Sequence, residues 1–399
     1  MVTSQDQLAE RIRSRLARNG GTATIADIVA AVRQERGAAL GDSALLRLAQ
    51  NLRRDLTGAG PLEPLLVDPA VTDILVNGPE QVWIDRGGGG LERVSVAWSG
   101  PDPVRRLAQR LAAACGRALD DAHPYVDARL PDGTRLHAVL PPIAQHDACL
   151  SLRTFRRRGF TLAELTDAGT LTAPAAEILR AIVSARLAYL VTGGTGSGKT
   201  TLLSALLGLV PGDERIVVVE DAAELRPTHP HVVGLTARLA NAEGAGEVGL
   251  HDLVRQALRM RPDRIVVGEC RGAEVAELLA ALNTGHEGGA GTLHANTPAD
   301  VPARLAALGM LGGLSLEALN AQLRAALQVV LHLRRTRGGR VLEEICLLTA
   351  DHAGRVGTVP AWHRRTGAAP AAQRLARLLI ERGVTPPTVL IGHPTLEAA

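Results

Sequence analysis

Eight residues, Gly193-Gly194-Thr195-Gly196-Ser197-Gly198-Lys199-Thr200, restrict the fold of this chain more than any other feature. They follow an apolar run, Leu187 to Val191, and precede an amphipathic one, Thr200 to Leu209, so a glycine-rich turn joins a strand to a helix. Glycines let successive backbone N–H groups turn inward, and the N-terminus of the following helix adds its partial positive charge. The result is a cradle for phosphates, the P-loop pattern. In that pattern Lys199 reaches the β and γ phosphates and the Thr200 hydroxyl binds Mg2+, with Thr201 completing the binding set.

Composition sharpens one of these residues. Of the 44 basic residues in the chain, Lys199 is the one lysine and the rest are arginines. A compact ammonium kept in so arginine-rich a chain marks a place where the planar guanidinium fork does not substitute.

The remaining chain divides by periodicity. Residues 5–18, 25–36 and 43–56 carry helical spacing broken at Asn19-Gly20-Gly21, Gly37 and Gly41. From Val71 to Phe155 the period shortens: Asp73 to Val76, Gln81 to Asp85, Leu91 to Trp98, Arg129 to Leu140 and Cys149 to Phe155 read as strands, interrupted by one helix near Pro103 to Leu119. Gly87 to Gly90 and Pro131-Asp132-Gly133 supply turns. Beyond the charged run Arg156-Arg157-Arg158-Gly159, strands alternate with helices as a mostly parallel sheet requires. The expected fold is α/β: a P-loop NTPase domain at 171–350, preceded by a smaller α+β domain at 57–158, a linker at 159–170 and an N-terminal helical segment at 1–56. A strand at Val341 to Leu348, a loose loop and a short helix near Ala371 to Arg382 end the chain, with 351–399 as a tail.

Phosphoryl transfer to water also needs a metal holder and a group that orients the attacking water. Two acidic clusters follow expected strands: Glu220-Asp221-Ala222-Ala223-Glu224 and Gly268-Glu269. Strand C-termini beside a phosphate loop are where ligands collect in open parallel sheets. The Asp that often ends the second strand is replaced by Gly268, so Mg2+ leans on Thr200, water and one of Glu220, Asp221, Glu224 or Glu269.

Other classes are disfavoured. The hydrophobic fraction of 46% and charged fraction of 21% fit an ordinary globular protein. The apolar region near Leu305 to Leu316 is far shorter than the roughly 20 residues of a membrane span, and the polar N-terminus lacks a secretory core, which predicts a cytoplasmic protein. Cys115, Cys149, Cys270 and Cys346 are too scattered for a zinc site or disulfide framework. A net charge of +3, few aromatics and no recognition motif give no specific nucleic-acid partner.

Four segments taken together carry a family resemblance. They are the P-loop, the acidic box Glu220 to Glu224, the segment Leu258 to Glu269, and Thr284-Gly285-His286-Glu287-Gly288-Gly289-Ala290-Gly291-Thr292-Leu293-His294-Ala295-Asn296. In this order they resemble the secretion ATPases of type II and type IV systems, most closely the tight-adherence pilus branch called TadA or CpaF. In that family a Gly-Glu ending of the second strand is normal.

The resemblance implies a RecA-like domain and a Mg2+-dependent ATP hydrolase. It makes Glu224 the last acid of an aspartate box and Glu269 the Walker B glutamate, the two holding Mg2+ and polarising water, with the identity of the base open. His286 and His294 match a histidine box that links the γ-phosphate to domain movement. Arg135 and Arg153 match arginines that relatives send to the nucleotide, and Arg271 matches a position that can form an intersubunit ion pair. It further implies a homo-hexamer working beneath inner-membrane platform proteins of a pilus or secretion system, peripheral to the membrane, with the linker near Arg156 to Thr161 as a hinge. Two alternatives stay open: a conjugation-associated DNA-transfer ATPase, and a nucleotide-gated assembly scaffold with little turnover.

Overall fold

The computed structural model describes residues 29–30, 58–87, 90–98, 100–154, 159–238, 245–336 and 338–391. The expected N-terminal helical segment lies outside the described residues apart from 29–30, as does the charged run at 156–158. The chain forms two compact units, 1–156 and 157–399.

In the first unit a short 3-10 turn, Gly60–Leu62, leads into α1 (Glu63–Val67), followed by β1 (Asp73–Asn77), β2 (Val82–Asp85), β3 (Leu91–Val94), α2 (Pro103–Ala114), β4 (Tyr125–Arg129), β5 (Arg135–Val139) and β6 (Cys149–Arg153). The strands make one antiparallel sheet in the order β3-β2-β1-β6-β5-β4. Helix α2 repeats apolar residues at three- and four-residue spacing, and Val104, Leu107, Ala108, Leu111 and Ala112 are buried with Ile74, Ile84, Leu136 and Leu152 in one core. The long strand expected over Arg129 to Leu140 is instead the hairpin β4–β5. Gly133 takes φ +94° in the turn, and the Asp132 carboxylate accepts from the Thr134 N–H at 2.9 Å.

The second unit contains α3 (Leu162–Asp167), α4 (Ala173–Ser184), β7 (Tyr189–Gly193), α5 (Lys199–Leu207), β8 (Ile216–Glu220), β9 (Val232–Thr236), α6 (Leu250–Ala257), β10 (Arg264–Cys270), α7 (Glu274–Asn283) and β11 (Ala290–His294). It continues with α8 (Val301–Leu311), α9 (Leu316–Ala326), β12 (Val329–Thr336), β13 (Gly339–Ala350), β14 (Val356–His363), β15 (Gly367–Ala368), α10 (Ala372–Glu381) and α11 (Thr388–Ile391). All nine strands share one sheet, ordered β15-β14-β13-β12-β7-β11-β10-β8-β9. It is parallel from β12 to β9 and antiparallel from β12 through β15.

Helices cover both faces of this sheet, which explains why the central strands are continuously apolar. Along β7, Tyr189 and Val191 enter one core with residues of α4, α5 and α10, while Leu190 enters the other with residues of α6, α7, α8 and α9. No helix among the described residues is long and apolar enough to cross a membrane.

Three differences from the sequence expectation have local causes. Helix α9 passes into β12 through Leu327 with no glycine or proline to punctuate the change, so β12 has no local boundary signal. Helix α4, capped by the Thr172 hydroxyl on the Ala175 N–H, adds a helix ahead of the first strand of this sheet. The loose loop after residue 350 is in fact strand β14, whose Pro360 sits where the β13–β14 register shifts and no ladder N–H is demanded of it. Trp362, Leu375 and Leu379 then seal one of the two cores.

Candidate nucleotide site

The C-terminal tips of β7, β11, β10 and β8 lie along one edge of the sheet because these strands are parallel. Gly193 ends β7 opposite His294 of β11 on one side and Leu333 of β12 on the other. From there the loop Gly194 to Gly198 turns into α5. Gly196 and Gly198 hold φ +70° and +96°, angles that side-chain-bearing residues rarely adopt. Lys199 folds over the loop, its Nζ donating to Gly193 O at 3.1 Å and Gly194 O at 3.2 Å. The Ser197 hydroxyl is buried within the loop and has no hydrogen-bond partner among the described residues. Left-handed glycines, an orphaned buried hydroxyl and an ammonium held against the loop's first carbonyls fit a polyphosphate. Thr200, in the first turn of α5, and Thr201 after it are partly exposed beside the loop.

The acidic clusters separate into different tasks. Glu220 is 5% exposed, and its Oε1 accepts from the backbone N–H of Glu224 and of Leu225, each at 2.9 Å. Burial pushes its carboxyl above the ordinary range, with those two N–H groups working against the rise. The same side chain explains the missing Asp: a Cβ at Gly268 would lie 2.5 Å from Glu220 Cγ, so the position next to Glu269 has no room for a side chain. Glu220 therefore shapes the loop that carries Asp221 and Glu224, while Glu224 and Glu269 remain partly exposed.

Between Val267 and Cys270 the β10–β11 register shifts, an irregularity that re-aims Glu269 at the strand tip. Its carboxylate accepts from Arg271, whose other terminal nitrogen lies 3.7 Å from Asp221 Oδ2. Partial burial works against the Arg271 charge, but Glu269, Asp221 and Glu224 outweigh it and hold the guanidinium more firmly protonated. Arg271 thus pairs within its own chain. Among the described residues no three His, Cys, Asp or Glu side chains converge as a metal cage. Mg2+ ordinarily takes one or two carboxylates and completes its shell with water and phosphate oxygens, so it needs no such cage.

The two box histidines part company. His294 stands at the tip of β11 beside Gly193. His286 precedes β11, in the turn that feeds the opposite edge of the sheet, with Nδ1 3.1 Å from Ala281 O. It is not brought to the phosphate loop of its own chain. Arg135 and Arg153 lie in the first unit, direct partners across β5 and β6, and Arg153 also faces Asp73 of β1.

Sequence reasoning missed two neighbours of the loop. His332 of β12 is buried, with Nδ1 3.0 Å from the Thr192 hydroxyl one residue before the loop. Arg340 Nε, from β13, donates to Gly196 O at 2.8 Å. No local signal distinguishes Arg340 in so arginine-rich a sequence.

A two-faced sheet with a glycine loop and a lysine at its strand tips defines a P-loop α/β protein of the RecA-like kind. The profile of the family described as "Type II/IV secretion system protein" matches residues 55–374, and the chain belongs to that family. A Mycobacterium tuberculosis (strain CDC 1551 / Oshkosh) protein named "Putative conjugal transfer protein" is 57% identical over 350 residues, 86% of this chain and 99% of that one. The type IV secretion system protein PtlH of Bordetella pertussis is 36% identical over 258 residues, 59% of this chain and 75% of PtlH. Among solved structures, the pilus retraction motor PilT with bound ADP matches with a TM-score of 0.52 at 23% identity, over 74% of this chain and 83% of PilT, a likeness of fold.

Proposed function

We propose that this chain is a Mg2+-dependent ATP hydrolase working as a homo-hexameric motor. Its assignment is to pilus assembly or protein secretion through inner-membrane platform proteins, as in the TadA or CpaF branch, and to the cytoplasmic face of the membrane. The observation that carries the reading is the phosphate loop with Lys199 folded over it, with only β11 between its strand and the one that bears Glu269.

Bound Mg2+ and ATP supply an electrophilic phosphorus and the metal charge that offsets its oxygens. The chain's own groups do the rest. Backbone N–H groups of the loop from Gly194 to Lys199 bind and orient the phosphates, and the Lys199 ammonium exchanges its contacts with Gly193 O and Gly194 O for phosphate oxygens. The Thr200 hydroxyl and a carboxylate of Glu224 or Glu269 hold the metal, and the other carboxylate orients water and accepts its proton. His294, beside Gly193, reports the occupied loop to β11. Arg135 and Arg153 serve charge stabilisation during transfer, with the hinge near 156–161; residues 162–167 form α3 and pack into the core of the second unit.

The test is steady-state ATP hydrolysis by the purified chain and by Lys199→Ala. A loss of about 10²- to 10³-fold is expected, the scale of removing one aimed charge donor, and equal rates would remove the cradle from the mechanism. Native mass measurement with ATP checks the hexamer. A conjugal role is the second reading, favoured by the name of the Mycobacterium tuberculosis relative. Stimulation of turnover by DNA at physiological salt supports it, and stimulation by a platform protein supports secretion.

A further inference from the structure

The hairpin of β12 and β13 reaches the phosphate loop from outside. Leu333 pairs with Gly193, so the strand runs on past the start of the loop with Arg334 and Arg335. Arg335 and Arg340 are direct partners across the two strands. Arg340 Nε donates to Gly196 O at 2.8 Å, and a Cβ placed on Gly198 would lie 3.2 Å from Arg340 Cδ. Arg335 flanks the same glycine from the facing strand, since a Cβ on Gly196 would lie 3.4 Å from its Nη1. Both arginines are exposed.

Like charges directly opposite on neighbouring strands destabilise a hairpin. Arg334, one residue earlier, is matched by Glu343 at 3.2 Å. Arg335 and Arg340 face each other at the rim of a loop built for phosphate, where both cations lie within reach of a bound polyanion. Loop carbonyls point away from the phosphates when the N–H groups point toward them, so a guanidinium holding Gly196 O from outside keeps the adjoining N–H groups turned inward.

We propose that this hairpin is part of the nucleotide site. Arg340 is a positioning residue that braces the loop through Gly196 O, and Arg335 adds a cation that draws the polyphosphate into the same chain's cradle. The assignment rests on the nucleotide reading above.

The experiment is calorimetric titration of the full chain with MgADP at low and physiological salt, together with ATP hydrolysis kinetics. Arg340→Ala should weaken MgADP binding roughly 3- to 10-fold, the scale of a charge-assisted bond at an exposed rim, with the loss falling on KM rather than kcat. Arg340→Lys should recover part of it. Arg335→Glu should weaken binding more than Arg335→Ala, and both should flatten the salt dependence of Kd. Unchanged Kd in Arg340→Ala and Arg335→Glu overturns the assignment. So does a loss in Arg340→Ala that tracks a lower Tm of the nucleotide-free protein and is not recovered by Arg340→Lys. A wild-type chain that gives no heat with MgADP overturns the nucleotide reading itself, and this assignment with it.

Discussion

Strand β10 starts on Arg264 and carries Glu269 one residue before its end, and the two ends of the sheet treat charge in opposite ways. At the start, Arg264 is 1% exposed, its Nε donating to Glu214 Oε2 at 2.7 Å and its Nη2 to Val183 O at 3.1 Å. Arg186 adds a second cation on Glu214 at 3.0 Å. At the finish, Glu269 and its partner Arg271 stay partly in solvent beside the phosphate loop. One edge buries Arg264 and ties it to Glu214, which the partly exposed Arg186 shares. The other leaves its charges where a ligand can displace their present partners. The contrast teaches that a charged residue at a strand end declares nothing until its enclosure is known, because a buried ion costs several kcal/mol to desolvate and must be satisfied locally.

The sharpest way to break this comparison is Glu214→Ala. It strands an enclosed guanidinium and should cost about 3–5 kcal/mol in urea unfolding; a change under about 1 kcal/mol would mean that the enclosed edge is no more demanding than surface.

A smaller effect belongs to His332, just inside the phosphate-loop edge. Burial holds its imidazolium disfavoured, so its pKa falls below the ordinary 6.5, with Glu344 and Glu343 working the other way. The unfolded chain then binds the proton first as pH falls. The His332 contribution to stability is full above pH 6.5 and declines as acid is added through and below that value. Unfolding curves of wild type and His332→Gln at pH 7.5 and 5.5 should converge toward acid pH. A gap that stays constant would show that the ring does not titrate between these states.

The least effect is expected from Arg271→Ala. The Arg271 side chain is 57% exposed, so stability should move by less than about 1 kcal/mol. Unfolding as severe as that of Glu214→Ala would erase the difference between the edges.

Several of these residues were legible before any coordinates. The loop from Gly193 to Thr200 and the apolar runs within β8 and β10 follow from local rules: glycine's access to positive φ, and apolar runs long enough for a sheet covered on both faces. Glu220 was visible only as one acid of four, because its task depends on Gly268, which reaches it from the neighbouring strand. His286 and His294 looked equivalent in one motif, yet they flank a single strand and so emerge at opposite edges of the sheet.

The sequence by itself determined the phosphate loop, its lone lysine and the alternation that makes a parallel sheet, since each depends on residues within a turn or two of one another. The tertiary structure alone decided that Arg340 braces a loop 144 residues away, that Glu220 fills the space beside Gly268, and that residues 356–363 enter the sheet rather than trail from it. Those outcomes depend on which strands become neighbours and in what register. That selection is made by burying whole faces of the sheet at once, and no short window of sequence records it.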